Sequence, residues 1–200
     1  MSAILGSVRR HSVLAASFAL GVGSVGAFGL LRGARLTPSY LVIVIVAALA
    51  VAKADQRVRF SPLVLGCFAV WGIGHLTCGS VELSDGRILY NVVLLRWFHV
   101  DNLVHFVGFG AAGMAGFEAT MVSMTPRSEG GLRHGTIIWL VVLLGSGVGA
   151  LNEVAEYLAA KYLGATNVGG FDNTGRDLIA NLLGGLAFGL LAARRRDITD

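Results

Sequence analysis

Charge is scarce in this chain of 200 residues: lysine, arginine, aspartate and glutamate together make up 14% of it. Set against 54% hydrophobic residues and a mean hydropathy of +0.70, that is too little to cover the surface of a water-soluble domain. Proline occurs three times and cysteine twice, whereas glycine occurs 28 times. These counts exclude a loop-rich or disordered chain, and they exclude a disulfide framework. Cys67 and Cys78 fall eleven residues apart on one expected helix. That is about 16 Å along its axis, and a bridge needs Cα atoms within about 7 Å. Both read as small apolar residues. Familiar catalytic signatures are missing too: no Walker-type phosphate loop, no two-cysteine metal pair, no His-Glu-x-x-His and no Gly-x-Ser-x-Gly. The glycine-lined stretch Gly108 to Gly116 lacks the serine of an intramembrane serine protease.

What the chain does have is long uncharged runs between short basic clusters. Six of them, near 11–31, 38–54, 60–80, 101–122, 135–158 and 175–193, approach the 17–25 residues that cross about 30 Å of hydrocarbon as a helix. The expected fold is all-α: a polytopic membrane helix bundle, one integral membrane domain over residues 1–200 in contact with the lipid bilayer. The first run, with its basic start and small residues at Val25-Gly26-Ala27, is longer than a signal-peptide core and is expected to stay as an uncleaved helix. Between the third and fourth runs, Glu82 to Val100 has an apolar core of only eight residues, Ile88 to Leu95. With its Asp85-Gly86 turn, Tyr90 and Trp97, it is expected to be a short interfacial or re-entrant segment.

The net charge of +4 does not point to nucleic acid, because the basic residues punctuate apolar runs. They set orientation instead: ten of the sixteen, including Arg9, Arg10, Arg127 and Arg194 to Arg196, fall on one side. This predicts a multi-pass inner (cell) membrane protein with both termini in the cytoplasm. Small residues at four-residue spacing (Gly108, Ala112 and Gly116; Gly145 and Gly149; Gly185 and Gly189) predict close packing of the last three helices.

The polar residues inside the runs carry the functional signal. His75 lies near the end of the third run, and Asp101 and His105 are one turn apart at the start of the fourth. Asn152, Glu153 and Glu156 close the fifth run, while Asp172, Asn173, Arg176, Asp177 and Asn181 open the sixth. Successive spans alternate in direction, so these ends share one membrane face, and the charge count makes it extracytoplasmic. Carboxylates and imidazole one turn apart suit a divalent metal ion or a general acid–base pair. Ionisable groups at membrane depth mark functional sites. Candidate catalytic or metal-ligating residues are Asp101, His105, Glu153, Glu156 and Asp177; Arg176, Asn181 and His75 are candidates for holding a lipid-linked or phosphate-bearing ligand. A plainer alternative stands beside this. Asp101, Asp172 and Asn173 would cap helices, Glu153 and Glu156 would be solvated among headgroups or clasp Arg176, and the histidines would pack. Glu118 is expected at the cytoplasmic interface.

The string His99-Val100-Asp101-Asn102-Leu103-Val104-His105-Phe106 resembles the Asp-x-x-x-His-Phe signature of the VanZ-like and YjdF-like membrane families. Asn152-Glu153-Val154-Ala155-Glu156-Tyr157 is similar to the Glu-x-x-Glu-aromatic element of the YjdF-like group, and Asp172 to Gly184 is similar to its Asp-rich opening of the last helix. Glutamate at 156, where VanZ-like proteins usually have glutamine, favours the YjdF-like branch. The resemblance implies a multi-spanning membrane protein of undefined activity with an envelope role. The function expected is an envelope membrane protein whose acid/His site binds a divalent cation or a lipid-linked headgroup. Two alternatives are a small proton- or cation-coupled transporter component, acting as a homo-oligomer, and a structural or accessory membrane protein.

Overall fold

A computed structural model of the protein describes residues 2–124, 132–163 and 169–196. Arg127, one of the residues counted for orientation, lies outside them. Among the described residues there are seven α-helices: α1 (Ser2–Arg10), α2 (Ser12–Leu31), α3 (Thr37–Val58), α4 (Pro62–Ser80), α5 (Val100–Ser123), α6 (His134–Leu163) and α7 (Phe171–Arg196). Five of them, α2, α3, α4, α6 and α7, are long and apolar enough to cross a membrane, with mean hydropathies of 1.4 to 1.9. The protein is an all-α polytopic membrane bundle, as its composition predicts. The fourth expected span coincides with α5, which is long enough at 24 residues but carries Asp101, Asn102, His105 and Glu118 in its length.

Local chemistry sets the helix ends. Proline stands in the first turn of α3 and of α4, where its missing N–H is no loss. Ser61 caps α4 by accepting from Val64 N at 3.4 Å. Arg59 ends α3 in the left-handed region at φ 56°, a conformation that turns the chain back within three residues. At the start of α5, Asn102 Oδ1 accepts from the backbone N–H of His99 at 2.7 Å, which is the reaching-back half of a capping box. Asp101 sits in the first turn, where its charge complements the helix dipole.

Contacts gather the chain into two compact units, divided within α5 between Val104 and His105. In the first, Val22, Val44 and Leu76 form a core with Phe18, Tyr40 and Ile73. Gly79 leaves its space to the Tyr40 ring. The outer surfaces of α2 and α3 are apolar: only 17% and 11% of their spanning windows are buried. Val13, Leu20, Leu31, Val42 and Val46 are exposed there, a distribution that lipid solvates and water does not. The segment after α4 is a turn and a small hairpin. A bridge joins Glu82 to Ile88, Gly86 turns at φ 81°, and β1 (Val93–Leu95) pairs antiparallel with β2 (Phe98–His99). Asp85 and Arg87 clasp across the turn at 2.6 Å, and this hydrogen-bonded guanidinium holds the Asp85 carboxyl below the usual carboxylate range. The hairpin exposes Leu94, Leu95 and Trp97.

The second unit is built on glycine. A Cβ on Gly113 would collide with the Val141 carbonyl, one on Gly145 with that of Phe109, and one on Gly184 with that of Phe106. Gly185 and Gly189 lie against Val142 and Ile138 in the same way. These pairs make α6 antiparallel to α5 and to α7, with backbones touching as small-residue seams permit. Of the expected α5 stripe, Gly116 packs against Leu144, and Gly110 and Gly113 make close approaches beside it. Which side of α5 faces its neighbours is set by the partners, and spacing alone does not reveal it.

Candidate functional site

Three helices of the second unit bring polar residues to one level. His105 is five residues into α5 and Asp177 six residues into α7, each about 8–9 Å from its helix start. Glu153 is nineteen residues into the opposed α6, about 28 Å along. The antiparallel packing therefore sets all three near the same end of the unit. None of them is at a helix tip. His105 and Glu153 retain 6% and 8% exposure, while Asp177 and Asn181 retain none.

The contacts form a continuous array. His105 Nδ1 lies 3.2 Å from Asn181 Oδ1 and 3.8 Å from Glu153 Oε1. The candidate ligand atoms of His105, Glu153 and Glu156 all lie within 4.8 Å of one another. Asn152 Nδ2 donates to Glu156 Oε1 at 2.7 Å, fixing the second carboxylate from one turn earlier on the same helix. On α7, Asn173 Nδ2 donates to Asp177 Oδ2 at 2.5 Å, and a ligand atom of Asp177 comes within 4.8 Å of one on His105. Arg176, half-buried, reaches Asn173 Oδ1 at 3.5 Å. Asn181 has room because Gly149 has no Cβ, which would otherwise strike its amide.

Three buried atoms of this array have no hydrogen-bond partner among the described residues: Glu153 Oε1, Asn181 Nδ2 and Arg176 Nε. Burying such groups unpaired is unfavourable, and for a carboxylate strongly so. Imidazole nitrogen with carboxylate oxygens is a donor set for Zn²⁺, Mn²⁺ or Fe²⁺. Tetrahedral ligation at about 2.0–2.1 Å sets ligand atoms roughly 3.3 Å apart. A side-chain movement of about an ångström would close the trio around an ion.

Of the residues singled out by the sequence, His105, Glu153, Glu156, Asp177 and Asn181 come together, with Arg176 beside them. Asp101 is one turn before His105 on α5 and belongs to the first unit. So does His75, which sits in an aromatic cluster: it stacks on Trp71 at 5.1 Å, meets the Tyr40 ring edge-on at 4.9 Å, and is hydrogen-bonded by the Tyr90 hydroxyl. A second polar node was not visible in the sequence. Asp55, fully buried, accepts from Ser7 Oγ at 2.7 Å, Arg10 Nη2 at 2.6 Å and Phe60 N at 2.9 Å. It reads as one of several charges flanking a span. Its only distinguishing mark is an acid standing among Lys53, Arg57 and Arg59.

A family model described as "Predicted membrane protein (DUF2238)" matches residues 12–198. No curated protein and no solved structure matches the chain.

Proposed function

The chain belongs to the DUF2238 family of predicted membrane proteins, and from that premise we propose that it is an envelope membrane protein that binds a divalent cation at His105, Glu153 and Glu156. One observation carries this reading. An imidazole and two carboxylates on two helices hold their ligand atoms within 4.8 Å, and one of the acids is nine-tenths buried with an oxygen that meets no donor among the described residues. An ion would give Glu153 Oε1 the positive partner that it does not find among the described residues. Three protein ligands leave a position for a further group, the usual form of a site that acts on something. The excess of lysine and arginine at the opposite helix ends supports an extracytoplasmic location in the inner membrane, with both termini cytoplasmic. The VanZ-like and YjdF-like motifs, which include Asp101, His105, Glu153, Glu156 and Asp177, support an envelope role.

The test is metal retention. Protein purified in detergent, stripped with chelator and re-equilibrated with Mn²⁺ or Zn²⁺, should hold about one ion per chain, as a three-ligand site implies. His105→Ala and Glu153→Gln should hold none while keeping their helix content. Wild-type protein that retains neither metal overturns the reading.

A further inference from the structure

A cation alone does not complete this array. It answers the unpaired Glu153 Oε1 but repels the guanidinium of Arg176 and offers nothing to the amide of Asn181. Both of those residues have a buried nitrogen that finds no acceptor among the described residues. An oxyanion answers them, yet it would be repelled by Glu153 and Glu156 unless a cation stood between. The missing partner therefore carries both signs.

We propose that the site takes a phosphate-bearing headgroup, bridged by the divalent cation to His105, Glu153 and Glu156 and gripped by Arg176. This rests on the cation-binding reading above. The gradient of burial along α7 gives the approach. Phe171 and Asp172 are exposed, Arg176 is half-buried, and Asp177 and Asn181 are fully buried. Arg176 thus stands at the outer edge of the array, at the headgroup end of the helix, with the ion-binding side chains further in. Among the described residues its hydrogen bond to Asn173 is long at 3.5 Å, and the planar guanidinium fork can take two phosphate oxygens at once. Asn181, which receives His105 through its oxygen, presents its N–H₂ as the inner donor. A phosphate on the end of a lipid and a free phosphate share this chemistry.

The protein in detergent, loaded with Mn²⁺, is titrated with inorganic phosphate and, separately, with a short-chain phosphatidic acid, and both titrations are repeated in EDTA. At least one probe should bind in Mn²⁺ and not in EDTA. Arg176→Gln should weaken that binding tenfold or more, Arg176→Lys should recover part of it, and both variants should hold Mn²⁺ as the wild type does. Binding of phosphatidic acid alone identifies a lipid headgroup as the ligand; equal binding of both probes identifies the phosphate group itself. Mn²⁺ held with neither probe bound overturns this inference and leaves the cation site standing, whereas no Mn²⁺ overturns both. Probe binding that is equal in Mn²⁺ and EDTA, or unchanged in Arg176→Gln, also overturns it. The Mn²⁺ comparison on wild-type protein decides the matter even where an Arg176 variant does not fold.

Discussion

His105 on α5 and Asn181 on α7, 76 positions apart in sequence, meet through ring Nδ1 and amide Oδ1 at 3.2 Å, both buried. An amide oxygen can only accept, so in this contact Nδ1 is the donor and Nε2 is the ring nitrogen left to face an ion. Metal-binding imidazoles are commonly oriented in this way by an acceptor behind them.

Removing that acceptor should loosen the ion. Asn181→Ala is expected to lower Mn²⁺ or Zn²⁺ affinity about 10- to 100-fold, while Asn181→Asp, which keeps an acceptor oxygen, should retain the wild-type affinity or better. Equal affinity in Asn181→Ala, read by equilibrium dialysis, would show that Asn181 does not orient His105.

Glu153 separates stability from function. Its carboxylate is buried with one oxygen that meets no donor among the described residues, so the neutral amide should be easier to bury. In EDTA, Glu153→Gln is expected to melt at or above the wild type. In Mn²⁺ at a hundredfold excess over Kd, the wild type should gain about 2.7 kcal/mol and the variant nothing. Thermal unfolding with and without the ion checks both halves, and a variant that keeps the gain would remove Glu153 from the ligand set.

The glycine seam makes a paired prediction. Gly113→Ala puts a methyl group against the Val141 carbonyl, and overpacking of that kind costs about 1–3 kcal/mol. Gly147, on the same α6 that Gly113 packs against, would meet nothing within 4 Å. Gly147→Ala should therefore be neutral or stabilising, by up to about 1 kcal/mol from helix propensity. Denaturation of the two variants side by side in one detergent provides the measurement; similar losses in both would count against backbone contact.

A basic residue flanking a span also ties down a buried acid in the first unit. Arg10→Ala takes the guanidinium from Asp55, whose side chain is fully buried while that of Arg10 is 35% exposed, and leaves it the Ser7 hydroxyl and the Phe60 N–H. Discounting for that exposure, the expected loss is about 2–3 kcal/mol. In an Asp55→Asn background the same change should cost under about 1 kcal/mol, since no charge is left to strand. A double-mutant cycle with no coupling would make the pair incidental.

How far the sequence discloses this structure follows from range. The spanning helices are legible because lipid solvation demands some twenty apolar residues in a row, and charge interrupts those rows only at their ends. The candidate site is legible for a related reason: Glu153, Glu156 and Asp177 stand at the ends of such rows, and alternating helix directions bring those ends to one level. The Asp55 node is hidden because Arg10 and Asp55 are 45 positions apart and each looks like ordinary flanking charge. The strands Val93–Leu95 and Phe98–His99 are too short to show a period, and their pairing comes from the positive φ of Arg96 at the turn. On α5, Gly110 and Gly113 join Gly116 in close approaches that the four-residue spacing did not mark, because rotation of a helix about its axis is decided by what it meets.

Helices that touch along bare peptide rather than through meshed side chains resist separation but offer little friction to lengthwise sliding. In the second unit that seam runs straight into the polar array, with Gly145 against Phe109 and Gly149 against Asn181. A shift of α6 along its axis by a fraction of a turn would carry Glu153 and Glu156 past His105. The absence of side chains on one stretch of the bundle thus makes the separation of charges on the next stretch adjustable.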